Sequence, residues 1–251
     1  MKDRRYIISG AGSGIGRAIA FKLASEGAGI ILAGRNEKKL EQTLKLLPSG
    51  NHLVVTTDIR HKENCEEVSR ILSGTHLDGI ISNAGVGGEN YYGEDDRWNE
   101  IIDTNLSGTY YFVNSFLNQL KESNSPNKHV LLTSSVLAKL GVKNYTAYCA
   151  SKAGLLGLMR SWAMDLAEDH ILVNAICPGW VNTNMAKEGM HGIASGLGIS
   201  LDEFKKIAMQ SVPLGRMAEP EEIADLVHYL LCQKAITGQV IDINCGSVMS
   251  S

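Results

Sequence analysis

At 251 residues, 44% hydrophobic and 20% charged, the chain has the size of one α/β unit and can bury a core without disulfide or metal staples. A net charge of −3 with no basic block argues against a nucleic-acid or anionic-membrane surface, and no apolar stretch is long enough for a signal peptide or a membrane span. Cys65, Cys149, Cys177, Cys232 and Cys245 are scattered and form no CxxC, which points to a reduced, cytoplasmic protein without structural zinc or another metal site.

Short apolar runs alternate with longer helical patterns along the chain. Tyr6–Ile8, Ile30–Ala33, Leu53–Val55, Gly79–Ile81, Val130–Thr133, Leu172–Ile176 and Val240–Ile243 read as strands, and continuous Val/Ile/Leu runs suit strands covered on both faces. Helical patterns lie near 15–27, 37–47, 61–73, 96–122, 148–168 and 220–232. This alternation predicts one doubly wound α/β domain over 1–251, with a parallel sheet of about seven strands and helices on both faces. The segment 184–212 breaks the rhythm. It is Gly/Met/Ala-rich, only partly helical in pattern, and follows a strand end, so it is expected to be a substrate lid.

The first strand runs into Ser9-Gly10-Ala11-Gly12-Ser13-Gly14-Ile15-Gly16-Arg17 and then a helix. Such glycines let a phosphate approach the backbone at a helix N-terminus, where free N–H groups favour an anion. The spacing is neither GxGxxG nor a Walker loop; it is Gly-x-x-x-Gly-x-Gly. The second strand ends at Arg35, where an acid would bind a ribose 2′-hydroxyl. With Ser13 and Arg17 nearby, this end suits the extra phosphate of NADP better than NAD.

Tyr148 and Lys152 stand four residues apart, after Ser135. On a helix they share one face. An ammonium roughly 4 Å from a phenol favours phenolate by up to about 4 kcal/mol, or about three pKa units, which brings tyrosine towards useful acid–base range. The same spacing also occurs on ordinary helix surfaces.

Together these motifs resemble the short-chain dehydrogenase/reductases over nearly the whole chain, in a branch like the 3-oxoacyl and polyketide ketoreductases. Ser9-Gly10-(x)3-Gly14-Ile15-Gly16 is similar to the family's Thr-Gly-x-x-x-Gly-x-Gly turn, and Ser82-Asn83-Ala84-Gly85 to its Asn-Asn-Ala-Gly. The resemblance implies that Asp58 binds the adenine amino group, that Asn83, Ala84 and Gly85 line the adenosine ribose, and that Pro178, Gly179, Val181 and Thr183 hold the nicotinamide. It makes Asn105, Ser135, Tyr148 and Lys152 the catalytic set. Tyr148 is the general acid or base, Lys152 lowers its pKa and binds the ribose, Ser135 holds the substrate oxygen, and Asn105 holds a water that relays protons. Ser134 is the rival for Ser135, and family spacing favours Ser135. The terminal Asn244-Cys245-Gly246 departs from the more usual Asp-Gly-Gly.

The implied activity is hydride transfer between NADP(H) and a carbonyl or secondary alcohol. Other uses of the fold are a non-catalytic NADP-binding regulator, or an epimerase or dehydratase; the intact Tyr148/Lys152 pair and the compact length count against them. Leu137, Ala138, Tyr145, Trp180 and Met185 are candidate substrate walls, with Lys187 and His191 as polar possibilities. Asp169 lies near where carrier-protein reductases of the family often carry an arginine, which argues against a carrier-bound substrate. The resemblance also implies a homotetramer, with Trp98, Leu106, Phe112, Leu155, Leu156 and Met159 on helices fit for core or interface.

Overall fold

The computed structural model describes residues 1–94 and 96–249. Seven strands form one sheet: β1 (Arg5–Ser9), β2 (Gly29–Gly34), β3 (Leu53–Thr56), β4 (Gly79–Ser82), β5 (Lys128–Thr133), β6 (Ile171–Pro178) and β7 (Val240–Ile243), in the order β3-β2-β1-β4-β5-β6-β7. Every pairing is parallel. The central strands β4 and β5 are buried at every position, whereas the edge strands β3 and β7 are only partly covered.

Helices cover both faces: α1 (Gly14–Ser25), α2 (Glu37–Leu44), α3 (Lys62–Ile71), α4 (Trp98–Ile102), α5 (Gly108–Lys121), α6 (Thr146–Asp165), α7 (Asn184–Leu197), α8 (Leu201–Gln210) and α9 (Pro220–Leu231). Because side chains alternate along a strand, neighbouring residues feed opposite cores. Ile7, Ile31, Ile80, Val130 and Val173 pack with Phe112, Phe116, Met159 and Trp162. Tyr6, Ile8, Leu32, Ile81 and Leu131 pack with Ile19, Leu23, Leu40, Ile223 and Val227.

All seven expected strands are present. The expected helix 96–122 is not continuous: Asp103–Ser107 form a π-helical turn between α4 and α5. The segment 184–212 is also more ordered than its pattern suggests. It is a helical hairpin, α7 and α8, turned by Gly198 in a left-handed conformation and started again by a Ser200/Glu203 capping box. Met190, Ala194, Phe204, Ala208 and Met217 give it a small core of its own. Phe112, Leu155, Leu156 and Met159 are core residues, while Trp98 is 43% exposed and Leu106 half-buried. No helix among the described residues is long and apolar enough to cross a membrane.

The strand order reverses direction at β1, between β2 and β4. The carboxyl ends of β1 and β4 therefore border the crevice where open α/β sheets bind ligands.

Candidate active site

The glycine turn leaves β1 into this crevice. Ser9 is fully buried, and its Oγ accepts hydrogen bonds from the backbone N–H groups of Asn83 and Ala84, both at 3.0 Å. The serine that replaces threonine thus ties the ends of β1 and β4 together. Gly10 has φ +69°, and a Cβ there would stand 2.8 Å from Ala84 Cα, so only glycine fits. Gly14, at φ +50°, lies against the Thr183 side chain, which brings the turn and the Pro178–Thr183 run together.

The residues present fit a dinucleotide phosphate. Ser13 is the N-cap of α1, yet its hydroxyl makes no capping bond, so the first-turn N–H groups at the positive end of the helix have no side-chain acceptor there. Gly12 and Ile15 stand on either side of Ser13 and Gly14 in this turn. Arg35 is exposed at the end of β2. Arg17, expected beside the extra phosphate, is instead engaged within the loop: its guanidinium donates to Gly12 O at 2.6 Å and Thr43 Oγ1 at 3.0 Å.

Asp58 follows β3 as expected, but Arg60 grips both carboxylate oxygens, the shortest contact being 2.6 Å. Burial works to raise the Asp58 carboxyl, and the Arg60 hydrogen bonds and charge outweigh it and hold the pKa below its ordinary value. An adenine amino group at Asp58 would have to share this carboxylate with Arg60.

In the Pro178–Thr183 run, expected to hold the nicotinamide, Gly179 N–H donates to Ile243 O at 3.1 Å and Thr183 caps α7 by accepting from Ala186 N. Val181 is buried, and its carbonyl accepts from Thr183 N at 2.7 Å. A side chain at Gly179 would meet Asn244. Asn244 in turn accepts from Gly246 N and donates to Val248 O, so the atypical C-terminal run is an ordered turn packed on the site.

The four proposed catalytic residues converge at the carboxyl ends of β4 and β5. Tyr148 and Lys152 lie on the first two turns of α6, with Lys152 Nζ 5.6 Å from the Tyr148 ring centroid. The ammonium donates to Thr133 O at 2.9 Å, and its burial lowers its pKa to about 8. The Tyr148 phenol does not follow the expected direction. Burial pushes its pKa up, and the hydrogen bond with Ser135 only partly offsets this. The lysine lies towards the ring and the Thr133 carbonyl, and burial is the largest influence on the phenol.

Ser135 caps a 3₁₀ turn by accepting from Leu137 N at 3.2 Å, which leaves its own proton for Tyr148. Ser134 turns the other way and donates to Lys152 O at 2.8 Å. Asn105 sits in the π turn, fully buried. Its Oδ1 accepts from Val86 N at 2.8 Å, and its Nδ2 donates to Val86 O and Ser151 Oγ. Gly85 separates Asn105 from Lys152: a Cβ there would stand 3.1 Å from Asn105 Oδ1 and 3.5 Å from Lys152 Nζ. π turns of this kind recur at functional sites.

Of the candidate walls, Tyr145 is buried edge-on to Tyr148 at 6.3 Å, and burial raises its pKa to about 12. Met185 packs near Gly87, which itself lies beside the Tyr148 ring. Gly87 and Asn90, both in the loop after β4, escaped sequence reading because that loop has no periodic pattern.

The sequence family described as enoyl-(acyl carrier protein) reductase matches residues 10–247. The chain is a member of the short-chain dehydrogenase/reductases. It is 32% identical to the granaticin polyketide synthase putative ketoacyl reductase 1 of Streptomyces violaceoruber, over 96% of this chain and 92% of that protein. It is 30% identical to the 3-oxoacyl-acyl-carrier-protein reductase FabG of Rickettsia felis, over 99% and 98%. Among solved structures, a single-site variant of the actinorhodin polyketide ketoreductase with NADPH superposes with a TM-score of 0.92 at 29% identity, covering 98% of this short-chain dehydrogenase/reductase and 99% of the other chain. Levodione reductase superposes with a TM-score of 0.89 at 28% identity, with 98% of each chain covered.

Proposed function

We propose that this enzyme is an NADP(H)-dependent reductase of carbonyl groups, with Tyr148 as the acid that protonates the carbonyl oxygen. The observation that carries this is the meeting of Tyr148, Ser135 and Lys152 at the carboxyl edge of the sheet, next to an uncapped helix N-terminus. When bound, the nicotinamide supplies the hydride. The chain's own work is to hold the substrate oxygen and deliver a proton. A phenol kept protonated by burial is ready to give its proton as the C=O electron pair becomes an O–H bond. Ser135 Oγ–H, preset by Leu137 N, shares the charge that grows on that oxygen. Lys152, anchored on Thr133 O, has two N–H donors left for the cofactor ribose and for a water held beside Asn105 that would connect it to solvent.

Exposed Arg35 supports a preference for NADP over NAD, as does the NADPH bound to the actinorhodin enzyme. The α7–α8 hairpin, with Met185 near Gly87, acts as the substrate lid of a single catalytic domain. The α4–α6 surface bearing exposed Trp98, Tyr110 and Met164 supports homotetramer assembly.

The test is NADPH oxidation on a panel of small ketones, cyclic ketones and 3-oxoacyl thioesters. Turnover on at least one class is expected. Tight NADPH binding with no turnover on any would overturn the reading in favour of a regulator. Arg35→Glu is expected to raise the KM for NADPH about tenfold or more while leaving NADH within about twofold. Equal effects on both cofactors would remove Arg35 from phosphate recognition.

A further inference from the structure

We infer that Asn90 is a positioning residue for Tyr148, capping the helix that carries it from a different part of the chain; this rests on Tyr148 being the proton donor. The first turn of α6 has no cap of its own. Its N-cap position is Tyr145, whose side chain makes no capping bond. Asn90, only 7% exposed in the loop after β4, does the work instead. Its Oδ1 accepts from Ala147 N at 2.9 Å and from Thr146 Oγ1 at 3.1 Å. Its own backbone N–H donates to Asn144 O at 2.8 Å, and Asn144 has φ +63°, a left-handed conformation that needs support. Asn90 thus grips three of the four residues that precede Tyr148.

The network continues away from the helix. Asn90 Nδ2 donates to Asp96 Oδ1 at 3.3 Å, and the same oxygen accepts from Trp98 N at 2.9 Å at the start of α4. α4 runs into the π turn that carries Asn105, and Asn105 clamps Val86 at the beginning of the same loop. Between the two asparagines the loop passes beside the Tyr148 ring, where a Cβ at Gly87 would stand 3.8 Å from Cε2. One loop therefore joins the helix that holds the phenol to the turn that holds Asn105, and Asn90 is the joint. A buried asparagine with both side-chain groups matched holds one geometry, because any shift leaves a polar group unpaired.

A mere loop staple would lower stability and leave the behaviour of Tyr148 alone. The experiment separates the two with Asn90→Ala and the exchange Asn90→Asp/Asp96→Asn. In the exchange, a carboxylate at 90 still accepts from Ala147 N and Thr146, and the amide oxygen at 96 still accepts from Trp98 N. Because Asp96 Oδ1 takes both Asn90 Nδ2 and Trp98 N in the native chain, the amide at 96 has to turn its Nδ2 towards 90 to donate to the new carboxylate. The grip on α6 is kept, and the negative charge moves from an exposed position to the first turn beside the phenol. Steady-state kinetics are measured across pH for reduction of acetoacetyl-coenzyme A and ethyl acetoacetate by NADPH and for oxidation of the matching 3-hydroxy compounds by NADP⁺, with Tyr148→Phe alongside. Asn90→Ala is expected to lose about tenfold or more in kcat, with the KM for NADPH within about twofold. The exchange is expected to recover most of that loss and to move the alkaline limb of the oxidation profile to higher pH, because a carboxylate disfavours phenolate. A folded Asn90→Ala with wild-type kcat, an exchange variant that does not recover turnover or does not fold, or a limb that stays in place would each overturn the positioning role. If Asn90→Ala does not fold, the exchange alone decides. Retained turnover in Tyr148→Phe would instead overturn the proton-donor reading.

Discussion

The two ends of β5 bury titratable side chains with equal thoroughness and use them differently. At the amino end His129 is 3% exposed; burial lowers its pKa to about 4, and its Nε2 makes no hydrogen bond within the described chain. Around it, Asp78 staples strands by accepting from Arg5 N and Ser123 Oγ, both at 2.7 Å. At the carboxyl end Lys152 is 5% exposed and burial lowers its pKa to about 8. There, however, the neighbours are hydroxyls with protons to give and closely packed glycines. A shifted pKa marks burial at both ends; only the carboxyl end sets proton-donating hydroxyls around the shifted group.

Four substitutions probe that contrast. The largest effect is expected from Tyr148→Phe, which should lower kcat by about 10³-fold or more and leave NADPH binding, read by fluorescence titration, within about twofold. Near-normal turnover would make the carboxyl end as silent as the amino end.

Next comes Lys152→Met, which should lower kcat by about 10²-fold yet stabilise the fold by about 1–2 kcal/mol at pH 7. Below pH 8 the folded chain holds a buried ammonium, while the unfolded lysine stays charged up to about 10.5. Folded-state stability of the wild type therefore rises between these values, and the variant's advantage should fade there. Above about 10.5 the missing bond to Thr133 O should leave the variant the weaker of the two. Urea melts at pH 7 and pH 10.5 would show the reversal; a variant less stable at both would mean that the ammonium is well solvated.

His129→Leu probes the other end. The unfolded histidine takes up a proton below about 6.5 and the folded one only near 4, so stability is lost as pH falls through this window. The variant should keep about 2 kcal/mol more of its pH 7 stability at pH 5, with unchanged turnover at neutral pH. Identical acid profiles would show that His129 does not report on folding.

The smallest effect concerns the departure at the C-terminus. Cys245 has φ +54°, in the left-handed region, where the family more usually carries glycine. Cys245→Gly should stabilise the chain by about 0.5 kcal/mol, the relief of strain being partly cancelled by lost packing and a freer unfolded chain. A destabilised variant would show that the thiol's packing dominates.

The strands were legible because they are covered on both faces, which demands unbroken runs such as Ile30–Ala33. The shared face of Tyr148 and Lys152 followed from spacing alone. What spacing could not show is where the lysine head goes: Thr133 O, on another element, takes it, and burial then decides the phenol's pKa. The π turn was hidden because Asp103-Thr104-Asn105-Leu106-Ser107 contains no glycine or proline to mark a break. The α7–α8 hairpin was hidden by Gly189, Gly192 and Gly196, which weaken a helical pattern that its own small core then enforces. Asn90 carried no signal at all, since its meaning lies in partners more than fifty residues away.

The π turn also acts as a phase shifter. Each residue advances an α-helix by about 100°, so the one extra residue in this turn rotates everything after it relative to everything before. With the shift, Asn105 faces the loop at Val86 while Phe112, Val113 and Phe116 face the sheet. Removing one residue from 103–107 would restore a regular helix and force a choice between those two alignments. The position of Asn105 is thus set by the count of residues in the helix, and a search for more distant relatives should follow that count as closely as the identity of the asparagine.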